Sequence, residues 1–216
     1  MANYQCKSNS GQLLLGMLTE QTDEELLALA ISGNEDAFTA LYRRRQGPVY
    51  RFALHMSGSP QVAEEVTQDV FIFLAQRGRD FDASRAPLGA YLFGVARNYV
   101  RRAMERSFSD ALHTSPAEEH ADSLIAGGDA VEDIARGQLS SAIWKAVLSL
   151  PEHYREVVVL CDLQESSYAE AAASIGCAIG TIRSRLHRAH DMLARKLQSS
   201  ATVAPDISGM TARCPS

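Results

Sequence analysis

The sequence has few residues that could carry covalent or metal chemistry. Its four cysteines lie far apart without a C-x-x-C pair, and its six histidines are scattered. Free thiols of a reducing compartment are the simplest interpretation, although zinc binding and redox sensing stay open. The sequence contains neither a P-loop nor a Gly-x-Ser-x-Gly motif, so an enzyme is the least favoured class. We expect no cofactor and no metal.

Long apolar runs are also missing. No stretch approaches the roughly 20 apolar residues of a transmembrane helix. The first residues lack the basic region and the cleavage site of a signal peptide. We therefore expect a cytoplasmic protein without membrane insertion. The alternating pattern of strands is almost absent, whereas helical periodicity dominates the 216 residues.

An excess of positive charge is missing too, but the net charge of −5 conceals a segregation of charge. Residues 107–138 carry seven carboxylates against one arginine, a net of −6. Residues 91–106 carry four arginines against one glutamate (+3), and residues 178–197 carry five cations against one aspartate (+4). Because binding to nucleic acid depends on local charge, the pattern predicts two basic helices separated by an acidic tether.

Capping and helix-breaking residues predict the helices of the N-terminal half. Thr22 or Asp23 caps the first helix, Gly47-Pro48 separates the second from the third, and Ser59-Pro60 opens a long fourth helix. The expected ranges are about 24–32, 35–45, 49–56, 60–77 and 90–106.

The fold class that follows is all-α, with two small helical domains joined by a flexible acidic linker. The linker has no apolar stripe, and the linker and both ends are expected to lack fixed structure on their own. The expected boundaries are 1–21 for an N-terminal extension, 22–106 for the first domain, 107–130 for the linker, 131–197 for the second domain and 198–216 for a tail.

The second domain contains a helix-turn-helix pattern. Ser167 and Glu170 form a capping box, and Gly176 can take the left-handed conformation that ends a short helix. In the following helix an apolar stripe faces the domain, and an arginine-rich face suits the major groove of DNA. A solvated helix that only packs a bundle is the alternative. The apolar stripe is Ile182, Leu186, Ala189 and Leu193, and the opposite face carries Arg183, Ser184, His187 and Arg188.

Three segments of this domain resemble region four of the extracytoplasmic-function (ECF) sigma factors of the sigma-70 family. They are LPEHYREVVVL, SYAEAAASIG and GTIRSRLHRA, at residues 150–160, 167–176 and 180–189. Ala178 stands where many relatives place a capping serine. The resemblance implies that the exposed face contacts the minus-thirty-five element and that Arg185 meets the DNA backbone. Gly180 and Thr181 lie in the first turn of the helix, where a missing side chain lets backbone amides approach a phosphate.

The segment AEEVTQDVF, at residues 63–71, resembles the region-two helix that binds core RNA polymerase. Periodicity places Ala63, Val66, Val70, Phe73 and Leu74 on its buried side. Phe71, an aromatic residue expected on the polar side, suggests a partner surface, although a solvated acidic face is the alternative. The resemblance implies that the polymerase-binding residues are Glu64, Glu65, Gln68, Asp69 and Phe71.

The segment YLFGVARNYVRRAMER, at residues 91–106, resembles the element that recognises minus-ten DNA. Arg97, Arg101 and Arg102 are assigned to phosphates and Asn98 to base edges. Tyr91 replaces a tryptophan of the relatives and keeps a ring for base stacking. The resemblance places a pocket for an unstacked base near residues 79–88.

Together these segments imply an RNA polymerase sigma factor without catalytic activity. Its expected partners are the beta-prime clamp and beta flap of core polymerase, promoter DNA and an anti-sigma factor, and its targets would be a stress or envelope regulon. An autonomous DNA-binding regulator with a similar C-terminal domain is the alternative. A receiver domain would alternate strands and helices, and the N-terminal half does not.

Overall fold

The computed structural model describes residues 20–113 and 140–201. Within those two ranges every regular element is a helix, which confirms the all-α class. Most of the expected N-terminal extension, of the expected linker and of the expected tail lies outside the described residues, although the last helix continues into the expected tail as far as Ala201. No helix in the described ranges is long and apolar enough to cross a membrane.

The described N-terminal half, residues 20–113, contains four α-helices. They are α1 (Asp23–Ile31), α2 (Glu35–Ser57), α3 (Pro60–Arg77) and α4 (Leu88–His113), with a 3-10 turn at Gly78–Asp80. The described C-terminal half, residues 140–201, adds four more. They are α5 (140–148), α6 (Glu152–Val158), α7 (Tyr168–Ile175) and α8 (Ile179–Ala201), with a π-helical turn at Val159–Leu163 after α6.

Side-chain caps fix where the first helices begin. At α1, Thr22 accepts a hydrogen bond from the Glu25 amide at 3.2 Å, and the Glu25 carboxylate accepts one from the Thr22 amide at 2.8 Å. Asn34 accepts from the amide of Ala37 at 3.0 Å and starts α2. Ser59 caps α3, where Pro60 occupies the first turn. These observations confirm the predicted starts of α1 and α3.

The predicted break at Gly47-Pro48 is wrong, because α2 runs continuously through Pro48. A proline inside a helix removes one hydrogen bond and crowds the preceding turn, at a cost of about 3 kcal/mol. Here Leu41, Val49, Phe52 and Met56 are buried along one side of α2 and anchor the residues before and after the proline. The burial of this stripe outweighs the local penalty.

An acidic side chain ties α1 to α2. Asp23, in the first turn of α1, is only 5% exposed and forms ion pairs with Arg44, at 2.9 Å, and with Arg45. A buried carboxylate is tolerated only when it is paired and hydrogen-bonded. The two arginines therefore fix the angle between the helices.

The two halves of the chain share one apolar core, a packing that the sequence patterns did not predict. Buried residues of α1–α4 and of α5–α8 belong to the same cluster. At the boundary the rings of His55 and Trp144 lie 4.8 Å apart, and Arg155 donates to the carbonyl oxygen of Met56 at 2.6 Å. The C-terminal half thus packs against α2 and α4.

The contact between His55 and Trp144 predicts a pH-dependent stability. Burial lowers the pKa of His55 below 6.5, a hydrogen bond to the Arg51 carbonyl opposes the shift, and the charge of Arg51 adds to it. Because the unfolded chain then binds more protons than the folded one, the free energy of unfolding falls as the pH drops through about 6.5. We expect the urea midpoint to decrease between pH 7 and pH 5.5.

The control for this prediction is His55→Phe, which keeps a ring against Trp144 but does not titrate. We expect its midpoint to change less over the same pH range. Glu156, whose pKa is raised by burial, is present in both proteins, so the difference isolates His55. Equal pH dependence in the two proteins would contradict the assignment.

Candidate nucleic-acid interface

The helix-turn-helix consists of α7, the following turn and α8. Ser167 accepts from the Glu170 amide at 3.2 Å, and the Glu170 carboxylate accepts from the Ser167 amide at 2.8 Å, which confirms the predicted capping box. Gly176 ends α7 with φ 76° and ψ 42°, in the left-handed region that favours glycine. The Ala178 carbonyl accepts from the amides of Thr181 and Ile182, so Ala178 is the cap residue of α8.

The two faces of α8 differ as predicted. Its inner face is buried against the domain, with Leu193 only partly buried. Gly180 is exposed, and a Cβ atom there would meet nothing within 4 Å, so the first turn is open to a phosphate. The buried residues are Ile182, Leu186 and Ala189, and the exposed ones are Arg183, Ser184, His187 and Arg188.

The exposed face of α8 makes only weak contacts within the protein. The Arg183 guanidinium lies 5.8 Å from the centre of the Tyr168 ring. His187 is 3.8 Å from the carboxylate of Asp191. Exposed contacts of this kind contribute little to stability, so these side chains can exchange them for contacts with DNA.

Arg185 has a different environment from its neighbours on α8. It is half-buried and lies near the carboxylate of Glu156 in α6. Burial raises the pKa of Glu156, while the positive charges of Arg97 and Arg185 act in the opposite direction. The structure therefore separates Arg185 from the four fully exposed residues of the helix.

A second basic surface lies on α4. Asn98, Arg101 and Arg102 are exposed, and Arg101 is 3.8 Å from the carboxylate of Glu105, one turn away. The opposite side of α4 packs against the protein, although two of its residues are only half-buried. The buried ones are Leu92, Ala96 and Ala103, and the half-buried ones are Val95 and Tyr99.

Arg97 does not share the solvent-facing surface of α4. Its guanidinium forms an ion pair with Glu156, which is 1% exposed. Arg97 was expected to contact phosphates together with Arg101 and Arg102. In the structure Arg97 instead faces Glu156, away from the other two arginines. Sequence patterns could not indicate this, because the partner lies 59 positions away on the other half of the chain.

Tyr91 is half-buried in an aromatic cluster at the start of α4. Its ring centre lies 5.3 Å from that of Phe81 and 6.5 Å from that of Phe73. Burial raises the pKa of the phenol, and Asp80 adds to the shift. Phe73 and Phe81 were not predicted as site residues, yet they hold the Tyr91 ring beside the loop at 81–87.

An acidic surface covers the outer side of α3. Glu64, Glu65 and Gln68 are exposed, and Asp69 is half-exposed. Glu65 accepts a hydrogen bond from Arg106 at 2.7 Å, which connects α3 to α4. Four of the five predicted polymerase-binding residues thus lie on one accessible side of the helix.

The placement of Phe71 on this acidic surface is wrong. The Phe71 side chain is 4% exposed and packs edge-on against Tyr42, with ring centres 4.7 Å apart. Phe71 completes a buried i, i+3, i+4, i+7 series with Thr67, Val70 and Leu74, a spacing that was visible in the sequence. The exposed apolar residue beside the acidic ones is Ile72, at 54% exposure.

Comparison with known proteins agrees with the geometry of both halves. Residues 41–107 match the family "Sigma-70 region 2", and residues 140–193 match the family "Sigma-70, region 4". Over 178 residues the chain is 30% identical to the ECF RNA polymerase sigma factor SigM of Mycobacterium tuberculosis, which covers 82% of this chain and 86% of that protein. This chain belongs to the ECF sigma factors of the sigma-70 family. It is an RNA polymerase sigma factor.

The fold of this sigma factor is similar to that of solved relatives. CnrH, in complex with the cytosolic domain of CnrY, has a TM-score of 0.62 and 26% identity, covering 83% of this chain and 99% of CnrH. RpoE from Bartonella quintana, in complex with the anti-sigma factor NepR, has a TM-score of 0.61 and 26% identity, covering 74% of this chain and 96% of RpoE.

The described cysteines of this sigma factor, Cys161 and Cys177, are free and half-buried. Burial raises the pKa of Cys161 to about 11, with a contribution from Asp162, so this thiol is protonated at neutral pH and a weak nucleophile. In the described ranges no three potential ligands form a metal-binding group. Cys6 and Cys214 lie outside those ranges.

The cap of α8 generates a stability prediction. Because Ala178 offers no side-chain acceptor, Ala178→Ser should provide one for the amides of Gly180 or Thr181. We expect the free energy of unfolding, measured with urea, to increase by about 1 kcal/mol. Ala178→Val is the matched control, since it adds atoms without an acceptor. Equal stability of the serine and valine variants would contradict the capping argument.

Proposed function

We propose that this ECF sigma factor recognises the minus-thirty-five element with the exposed face of α8. The observation that carries the proposal is the separation of faces on α8, with an apolar side in the core and a basic side in solvent. Arginine can bond guanine edges in the major groove, and the open first turn of α8, at Gly180 and Thr181, can receive a phosphate. Arg183, Ser184, His187 and Arg188 are assigned to the bases, and Arg185 to the DNA backbone.

The same proposal assigns the minus-ten element to α4 and its preceding loop. Asn98, an exposed amide, suits base edges, while Arg101 and Arg102 suit phosphates. Tyr91, held against Phe81, offers an aromatic surface on which an unstacked base can pack. Arg97 can join this surface only after it separates from Glu156.

Core polymerase is assigned to the acidic surface of α3. Glu64, Glu65, Gln68 and Asp69 provide charge and polarity that complement a basic clamp, and such complementarity mainly sets the rate and register of association. Ile72 replaces Phe71 in this assignment, since an exposed apolar side chain among charges can serve as an anchor. The C-terminal half would meet the beta flap.

An anti-sigma factor is the further partner that we infer. CnrH was solved with the cytosolic domain of CnrY, and RpoE with the anti-sigma factor NepR. These two relatives support an analogous partner for this sigma factor, in the cytoplasm where RNA polymerase acts. The role proposed for the sigma factor itself is to position polymerase at promoters, without a catalytic reaction or cofactor of its own.

Run-off transcription with core polymerase tests the function. Adding this sigma factor to core enzyme and genomic DNA, and then sequencing RNA 5′ ends, should reveal initiation sites that core enzyme alone does not use. In a separate assay of binding to the cognate upstream element, Arg188→Ala should weaken binding by about 1–3 kcal/mol, because a base contact is lost.

Lys145→Ala is the charge-matched control, since Lys145 is exposed on α5, outside the helix-turn-helix. It should leave promoter choice unchanged. If Arg188→Ala weakened binding equally on all DNA sequences, Arg188 would be a phosphate contact. If the wild-type protein failed to bind core enzyme or to redirect initiation, the proposed function would be wrong.

The exposed Ile72 predicts a contribution to polymerase binding. Ile72→Ala should weaken association with core enzyme by about tenfold, because truncation of an interface anchor commonly costs more than 1 kcal/mol. Binding is measured by fluorescence anisotropy of labelled sigma factor. Ile143→Ala is the matched control, as this isoleucine on α5 is 41% exposed and far from the acidic surface in sequence. Equal effects of both variants would remove Ile72 from the interface.

A further inference from the structure

An apolar side chain is exposed at the start of the helix that we assign to bases. Ile179, the first residue of α8, is 44% exposed. Its spacing from Ile182 and Leu186 continues the apolar stripe of the helix, yet those two residues are only 0% and 6% exposed. The stripe therefore begins with a residue that the domain leaves largely in solvent, beyond the part that packs the core.

Ile179 borders the exposed face of α8. It lies one turn before Arg183, because residues four apart in a helix are neighbours on its surface. The adjacent Gly180 is exposed, and a Cβ atom there would meet nothing within 4 Å. Since Gly180 has no side chain, DNA can come close to the first turn of α8 and therefore to Ile179.

A tyrosine ring lies beside Arg183 on the same part of the surface. The Arg183 guanidinium is 5.8 Å from the centre of the Tyr168 ring, and Tyr168, at the start of α7, is 42% exposed. Stacking uses the flat face of a guanidinium and leaves its in-plane N–H groups able to bond a base edge. Arg183 can therefore keep this contact while it binds DNA, one turn away from an apolar side chain.

The chemistry of Ile179 selects one group in the major groove. Base edges there present hydrogen-bond donors and acceptors, and thymine adds an apolar C5 methyl group. Isoleucine has no polar atom in its side chain, so the methyl group is the base-edge feature that it can contact favourably. Branching at Cβ restricts its rotamers, so little conformational entropy is lost when the contact forms. The first residues of a recognition helix are the ones that reach base edges.

We propose that Ile179 is a specificity-determining residue, which contacts the C5 methyl group of a thymine in the upstream promoter element. This inference rests on the proposed function of α8. Ile179 and Arg183 are about 6 Å apart along the helix axis, at 1.5 Å per residue, and successive base pairs are about 3.4 Å apart. The thymine therefore lies within about two base pairs of the base that Arg183 contacts.

Replacing thymine with deoxyuridine tests the contact, because this change removes the methyl group and keeps the hydrogen-bonding groups of the base. The probes are labelled promoter fragments recovered by run-off transcription, each with one upstream thymine replaced. Binding of the complete holoenzyme is measured by fluorescence anisotropy. At one thymine the replacement should weaken binding of the wild-type protein about fourfold, the factor that corresponds to burial of one methyl group.

The Ile179→Ala variant decides whether Ile179 contacts this methyl group. It should bind the thymine and deoxyuridine probes equally, whereas Ile179→Val, which keeps a branched side chain, should retain most of the wild-type difference. Ile143→Ala is the matched control, since Ile143 on α5 is 41% exposed, and it should retain the full difference. The inference is wrong if Ile179→Ala still distinguishes thymine from deoxyuridine as strongly as wild type.

Arg183→Ala tests the position of the contact. This variant should lose base discrimination at a base pair within two of the thymine that Ile179 contacts, while its preference for thymine over deoxyuridine remains. Loss of discrimination only at more distant base pairs would overturn the placement of Ile179 beside Arg183.

Failure of this inference differs from failure of the proposed function. If the wild-type holoenzyme selects promoters by their upstream sequence, but no deoxyuridine replacement weakens binding or the elements share no thymine, only the role of Ile179 is wrong. If the holoenzyme shows no preference for its upstream sequence, the proposed function of α8 is wrong as well. Weaker binding of Ile179→Ala to core enzyme, with unchanged thymine discrimination, would overturn the inference and assign Ile179 to a protein partner.

Discussion

The buried carboxylate of Glu156 constrains much of this structure. It lies at the point where α6, α4 and α8 meet. Burial raises its pKa there, while Arg97, which pairs with it, and the nearby charge of Arg185 act in the opposite direction. This one group therefore links the core of the C-terminal half to both basic helices. An apolar residue at position 156 could also fill the space, but it would not restrain an arginine of α4. The interaction therefore relates the stability of the fold to the position of the Arg97 side chain on α4.

Charge is distributed so that each surface suits a different partner. Exposed arginines on α4 and α8 suit phosphates and guanine edges, whereas exposed carboxylates on α3 suit a basic protein surface. The overall net charge of −5 conceals this arrangement. Basic residues that are not in solvent, such as Arg44, Arg97 and Arg155, instead satisfy buried carboxylates or backbone carbonyls within the fold. Some arginines are thus exposed to solvent on basic surfaces, whereas others form ion pairs or hydrogen bonds within the fold.

Local sequence patterns predicted the helices correctly where a capping residue or a stripe of apolar residues marked them. The capping box at Ser167, the left-handed Gly176 and the exposed side of α8 were all predicted and are all present. Predictions that rested on a single residue were less secure. Pro48 does not end α2, because burial on both sides of it outweighs one lost hydrogen bond. Phe71 is buried, because its spacing from Val70 and Leu74 places it on the apolar stripe.

The sequence by itself determined the helices, their caps, the basic and acidic segments and the resemblance to sigma factors, because these depend on residues within a few turns of one another. Only the tertiary structure decided that the two halves share a core, that Arg97 pairs with Glu156 and that Tyr91 packs against Phe81. Contacts between distant positions depend on which helix faces pack against each other. Neither the periodicity of apolar residues nor the amino-acid composition indicates that packing. Arg97 therefore belongs to a basic segment in the sequence but pairs with a buried carboxylate in the fold.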